Sequence, residues 1–455
     1  MAAVTDSFRA TVFQTPAVDR LEVLSDVLIE VADGEITTVE PAASVDAARL
    51  ADATVLGDDV VLLPGLVDTH IHAPQWPQLG TGLDLPLDRW LFEHTFPLEA
   101  RFDDLAFASA VWDDMVPTLL AHGTTTAVYF GPRDLDSTTL LARACSSHGQ
   151  RAFVGRTAMD HPEGTPDWYR DPSPSEAIAA SRSSVDQILD LGSQLVQPIV
   201  TPRFIPACTD ETLHGLAEVA RERGVRVQTH CSEGDWEHGH VLERCGVVDT
   251  VALDRFGLLR PSTVLAHGNF MDDDALTLAG ERAAGVAHCP LSNSYFANAV
   301  FPARRALELG TPVGLGTDIA GGPSASLFHQ VAHAVTVSRH LEDGNDPRLA
   351  ADERGRPESR IDIVRAFWMA TMGGAGLLDT PVGLIEPGRR FDAVAVRFGN
   401  ADSPLRQHGD IDDDARRFEK LLRLTTPAEI DDVWVDGRRV AGRGQNAPAN
   451  GSPVD

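Results

Sequence analysis

The stretch "PGLVDTHIHAPQWPQLG", Pro64 to Gly80, sets two histidines one residue apart at the end of a short apolar run. A run of this length, bounded by Pro and Gly, reads as a buried strand that opens into a loop. Side chains two apart on a strand share a face, so His70 and His72 point the same way. Paired neutral imidazoles are suited to holding a metal ion.

Working outward, the same pattern recurs. "GLVDTHIH", "GTTTAVYFG", "RAFVGRTAMD", "LVQPIVTPRF", "VRVQTHCSE", "STVLAHGNF", "GVAHCPLS" and "PVGLGTDIAGG" are each apolar and β-rich, and each is followed by a loop and a helical pattern. Eight strands leading into eight helices predict an α/β fold, a (β/α)8 TIM barrel, over residues 64–385. The flanks read differently. "DVLIEVADGEITTVEP" alternates around Asp33-Gly34, and "IDDVWVDGRRV" turns at Asp436-Gly437, both hairpin signals. Residues 1–63 and 386–442 are therefore expected to form one small β-sandwich domain from both ends of the chain. Residues 443–455, rich in Gly, Asn, Ala and Pro, read as a disordered tail.

Composition narrows the function. The 455 residues carry a formal net charge of −29, which would repel nucleic acid and anionic membrane. Apolar runs are short and broken, so no membrane span is expected, and the start lacks the pattern of a secretory signal. The five cysteines, Cys145, Cys208, Cys231, Cys245 and Cys289, show no CxxC spacing. They read as reduced thiols in a cytoplasmic protein.

In a (β/α)8 barrel, chemistry gathers where the strands end. Those ends carry His70 and His72, then Arg203-Phe204, then His230 with Glu233 beyond, then His267, and finally Asp318. His70, His72, His230 and Asp318 make a three-nitrogen, one-oxygen metal set, with one position left for water. A metal in that set lowers the pKa of water to about 7. Glu233 is placed to shuttle protons between water and leaving group. His267 reads as an orienting group for the water or as a further ligand, and Asp318 as a second proton acceptor. His238 and His240 fall in a helix start, where residues two apart face different ways, and are not expected to bind metal. The ten other histidines, His122, His148 and His288 among them, read as ordinary surface or core groups. Lys420 is the only lysine in the chain. Two-metal members of the barrel group that this pattern resembles bridge their ions with a lysine on strand four; this chain has none there, so the resemblance implies one metal per chain.

The motifs "PGLVDTHIH", "THCSE", "LAHG" and "GLGTD" resemble the amidohydrolase superfamily. "HAPQ", "TFPLEARF" and "TPRF" resemble, more narrowly, its guanine-deaminating branch, and the likeness runs along nearly the whole chain. The resemblance implies zinc, or Fe2+, on His70, His72, His230 and Asp318, with Glu233 as proton shuttle assisted by His267. It implies hydrolysis of guanine to xanthine and ammonia, in a homodimer. It also implies substrate contacts from His72, Gln75, Arg203 and Phe204, with His230, Glu233 and Asp318 facing the same pocket. The chemistry agrees: an arginine fork matches the paired O6 and N7 acceptors of guanine, and Gln75 both donates and accepts. Phe204 suits the purine face. A related oxopurine, pterin or triazine is the alternative substrate. A non-catalytic scaffold would be expected to have lost ligands, yet all four and Glu233 are present.

Overall fold

The computed structural model describes residues 5–443. All but the first residue of the tail read as disordered lie outside them. Five strands come first: β1 (Thr5–Ala17), β2 (Arg20–Ala32), β3 (Glu35–Pro41), β4 (Thr54–Val55) and β5 (Val60–Pro64). Eight follow in the middle of the chain: β6 (Leu66–His72), β7 (Thr124–Gly131), β8 (Arg151–Ala158), β9 (Val196–Pro202), β10 (Arg226–Cys231), β11 (Val264–His267), β12 (Gly285–His288) and β13 (Val313–Leu315). Three close the chain: β14 (Ala393–Arg397), β15 (Ile430–Val435) and β16 (Arg438–Gly442).

Strands β6 to β13 pair in sequence order, all parallel, and form the barrel read from the eight apolar runs. Its helices follow ordinary start and stop chemistry. The Asp134 carboxylate accepts from Ser137 N at 2.8 Å to begin Leu135–His148, and Gly149 ends that helix in the left-handed region. An apolar floor of Val67, Val128, Phe153, Ile199 and Val264 fills the interior. Above it, Gln228 donates to Tyr129 O at 2.8 Å and Thr201 Oγ1 at 2.9 Å.

The two ends of the chain meet in one eight-stranded mixed sheet, in the order β16-β15-β14-β5-β1-β2-β3, with β4 beside β1. Both hairpins turn where the sequence places them. Asp33 and Gly34 have φ of 50° and 78°, and Asp436 and Gly437 have 54° and 78°, the paired positive values that Asp-Gly supplies cheaply. Phe8 stacks on Phe391 at 4.9 Å, with Trp434 edge-on, which ties the first strand to the returning segment.

Sheet and barrel are joined by a buried ion pair. Arg151 donates to both oxygens of Asp392, each at 3.1 Å, and Asp436 N donates to the same carboxylate at 2.8 Å. Removing one member of such a pair strands a buried charge. Arg151→Ala is expected to lower the unfolding free energy by about 3 kcal/mol, and Arg151→Met with Asp392→Leu by less than half of that. Urea midpoints of the two variants check this.

Candidate active site

The barrel closes where its last strand returns to its first. Asp318 N donates to His70 O at 2.9 Å, and His72 N donates to Ile319 O at 2.8 Å. Beside this seam, the Asp68 carboxylate accepts from Thr317 Oγ1 at 2.6 Å, Thr317 N at 3.0 Å and His70 N at 3.2 Å. Burial pushes the Asp68 carboxyl up to about 7. The seam sets Asp318 against both histidines of the opening motif: Asp318 Oδ1 lies 3.0 Å from His70 Nε2 and 3.4 Å from His72 Nε2.

Two more imidazoles complete the cluster. His230 Nδ1 lies 2.6 Å from Arg203 O, so that nitrogen carries the proton and donates. Its Nε2 is left with a lone pair, 2.9 Å from His72 Nε2. His267 is held through Nδ1 by Asn293 Oδ1 at 2.9 Å, and its Nε2 faces Glu233 Oε2 at 3.7 Å and Asp318 Oδ2 at 3.9 Å. Burial holds His70 below the usual histidine range, and His72 and His230 well below it, so these imidazoles are neutral and keep their lone pairs. Burial raises the Asp318 carboxyl, but the imidazole rings of His70, His267 and His72 around it together outweigh that and hold it below the usual carboxylate range.

The donors fit a metal ion. His70, His72 and Asp318 each offer an atom within 4.8 Å of the others, as do His70, His230 and His267, and as do Glu233, His267 and Asp318. Both ring nitrogens of His70 and Nε2 of His267 are buried with no hydrogen-bond partner. Buried polar atoms left unpaired are costly, and one cation among them satisfies several at once. Lys420 sits on helix Asp414–Leu424 and pairs with Asp412.

Glu233 follows β10 on a fixed loop. Its N–H donates to Glu237 Oε2 at 2.7 Å, and its carbonyl accepts from Asn269 Nδ2 at 2.9 Å. Ser232 before it is in the left-handed region at φ 52°, anchored through its N–H to Asp249. Burial raises the Glu233 carboxyl, Asp318 adds to the rise, and His267 and Arg203 oppose it. A carboxyl poised upward in this way suits proton transfer near neutral pH.

The cluster opens into a cavity of about 570 Å³ that also reaches Gln75, Arg203 and Phe204. Every site residue read from the sequence lines it except His70, which is fully buried beside His72 and Asp318. His238 and His240 do not: His238 Nδ1 lies 3.4 Å from Asp249 Oδ2, and His240 Nε2 lies 3.7 Å from Glu163. Trp90 and Phe296, 4.9 Å apart, pack across the cavity's outer side, while Phe92 is half exposed at its rim. The sequence reading overlooked Glu99. It is buried, and its carboxylate binds Arg203 through both terminal nitrogens, at 2.7 and 3.1 Å, and Gln75 Nε2 at 3.0 Å. An acidic residue inside the apolar "TFPLEARF" was the available signal. Asn269, Glu237 and the hold of Asn293 on His267 were also missed; each is a hydrogen-bond partner supplied by a different loop or helix.

The amidohydrolase family profile matches residues 61–440 of this sequence. The chain belongs to the amidohydrolase family. Among its relatives, a probable guanine deaminase of Schizosaccharomyces pombe is 34% identical over 96% of this chain and 84% of that protein. The guanine deaminase of Homo sapiens is 34% identical over 97% of each chain. A crystal structure of guanine deaminase from C. acetobutylicum, with guanine bound in its active site, superposes with a TM-score of 0.84 at 28% identity, covering 96% of this chain and all of that one. This amidohydrolase is expected to purify with about one divalent ion per chain, and Asp318→Ala to lose most of it. Elemental analysis after gel filtration measures both. Chelation of the wild type should lower its Tm, since the ion binds only the folded donor set.

Proposed function

We propose that the chain is a guanine deaminase, converting guanine and water to xanthine and ammonia. One observation carries this reading: Glu233, 3.7 Å from His267, lines one cavity together with buried metal-donor residues and with Gln75, Arg203 and Phe204. The names of the relatives support it. The volume suits a purine, since ligand cavities run from about 300 to 1,000 Å³.

In this reading His70, His72, His230 and Asp318 hold one zinc ion, with Fe2+ also suited to the donors. When bound, the ion supplies Lewis acidity that brings water within reach of deprotonation at neutral pH. Glu233 takes the water proton and delivers it to a ring nitrogen, which makes C2 more electrophilic. The water oxygen bonds to C2; its second proton then passes through Asp318 and Glu233 to the amine, so that C2=O forms as the C2–N bond breaks and ammonia leaves. His267, fixed by Asn293, orients the attacking water, and Asp318 is a second acceptor for its proton. Arg203 donates to acceptors on the base, Gln75 reads a neighbouring N–H or C=O, and Phe204 packs on the ring. His72, His230, Glu233 and Asp318 border the same base.

A homodimer is the proposed assembly, the commonest closed symmetry. The cytoplasm is the proposed compartment. All five cysteines are unbridged, and among the described residues no helix is long and apolar enough to cross a membrane.

Incubated with guanine, the wild type is expected to release xanthine and ammonia in equal amounts. Glu233→Gln should lower kcat by about 10²–10⁴-fold with its metal content unchanged. A metal-loaded wild type that releases neither product would move the substrate to another aminated ring, an oxopurine, pterin or triazine.

A further inference from the structure

Glu99 ends the short helix Phe96–Glu99 and is only 2% exposed. Its carboxylate receives N–H groups from two cavity residues that come from opposite parts of the barrel mouth: Gln75 after β6, and Arg203 after β9. An ionised carboxylate only accepts, so the Gln75 amide must turn its nitrogen toward Glu99. The other end agrees, because Ala320 N donates to Gln75 Oε1 at 3.2 Å. The amide is thus oriented from both sides. One N–H and one lone pair remain to it for a ligand. Arg203 gives one hydrogen from each terminal nitrogen to Glu99 and retains donors alone.

The setting strengthens this polarity. The Arg203 guanidinium lies 4.9 Å over the Phe96 ring, with Met159 Sδ at 3.8 Å, in an apolar group completed by Tyr169, Phe204 and Ala207. Hydrogen bonds in such surroundings are strong, and unmatched polar groups are costly. Glu99 also cancels the charge of Arg203, so its remaining donors meet a neutral ring as hydrogen-bond groups and exert little pull as a net cation. Arg203 O in turn fixes His230 Nδ1 at 2.6 Å, which couples the base reader to the metal-donor cluster.

We propose that Glu99 is a positioning residue that sets the hydrogen-bonding polarity of Gln75 and Arg203, and through them the preference for a ring bearing a carbonyl acceptor. The proposal rests on the guanine reading above. It assigns no contact between Glu99 and substrate. Guanine presents O6 to the Arg203 donors, whereas 2-aminopurine has the same ring and amine without that acceptor.

The test compares wild type with Glu99→Gln, both metal-loaded, by kcat and KM for guanine and by the inhibition constant of 2-aminopurine. In the variant the residue at 99 no longer forces the Gln75 amide, and Arg203 loses its bidentate partner. The KM for guanine should rise about 10- to 100-fold, with a smaller change in kcat and in 2-aminopurine inhibition, so that discrimination between the two rings collapses. Equal weakening toward both rings would mark a merely structural role and overturn the proposal, as would unchanged discrimination. Should Glu99→Gln fail to fold, Glu99→Asp carries the same test, because it keeps the charge but withdraws the oxygens by one methylene. Lowered discrimination there supports the proposal, and wild-type discrimination overturns it. A wild type that turns over no guanine overturns the guanine reading itself, an outcome distinct from a guanine-active wild type beside an indifferent variant.

Discussion

Two backbone hydrogen bonds at the barrel seam, Asp318 N to His70 O and His72 N to Ile319 O, are the constraint on which the site depends. They pin the end of the first barrel strand to the segment after the last. Asp318 and His70 are 248 positions apart in sequence by their numbering, yet their side chains come within 3.0 Å. Because side chains alternate along a strand, a slip of one residue would turn His70 and His72 away from the interior. Closure of the fold and assembly of the donor cluster are therefore one event. Asp68 adds to the register by gathering Thr317 and the His70 N–H into one buried carboxylate.

The barrel bears an electrostatic burden at this end. Four imidazoles and two ionisable carboxylates lie together in a largely buried space, several of their nitrogens without partners. Deeper in the barrel, the Gln228 amide nitrogen finds two protein partners, and the floor is apolar. At the site, the unpaired nitrogens of His70 and His267 are ones that a bound cation would satisfy. The Arg203–Glu99 pair is a second such burden. Burying two charges gains little stability even when they are well paired, so its presence among Phe96, Met159 and Phe204 argues for a role in recognition.

Much of this was legible in the sequence. Local rules located the eight barrel strands, because each is a short β-rich run ahead of a helical pattern. Asp-Gly at 33–34 and at 436–437 gave the hairpins through the positive φ those pairs tolerate. His70, His72, His230, His267 and Asp318 stood out because each ends a strand, where this fold collects its chemistry. Partner choice was not legible. Arg203 was read as a fork for substrate, and the carboxylate that holds it was not foreseen. The structure supplies that carboxylate from Glu99, 104 positions earlier. No periodicity encodes a contact between a short helix after β6 and the end of β9. The "YFANAV" stretch carries no recognisable signal either, and it brings Phe296 against Trp90 at the cavity.

The central claim is that one metal ion is held by nitrogen and oxygen donors drawn together at the barrel seam. X-ray absorption spectroscopy on the metal-loaded protein tests it directly. The account predicts three imidazole nitrogens at about 2.0–2.1 Å with one or two further oxygens, and no heavy scatterer beyond them. A sulfur neighbour at about 2.3 Å would contradict the donor set, since Cys231 and Cys289 are the buried thiols next to His230 and His288 in the chain. A second metal at about 3.5–4 Å would contradict the single-ion site.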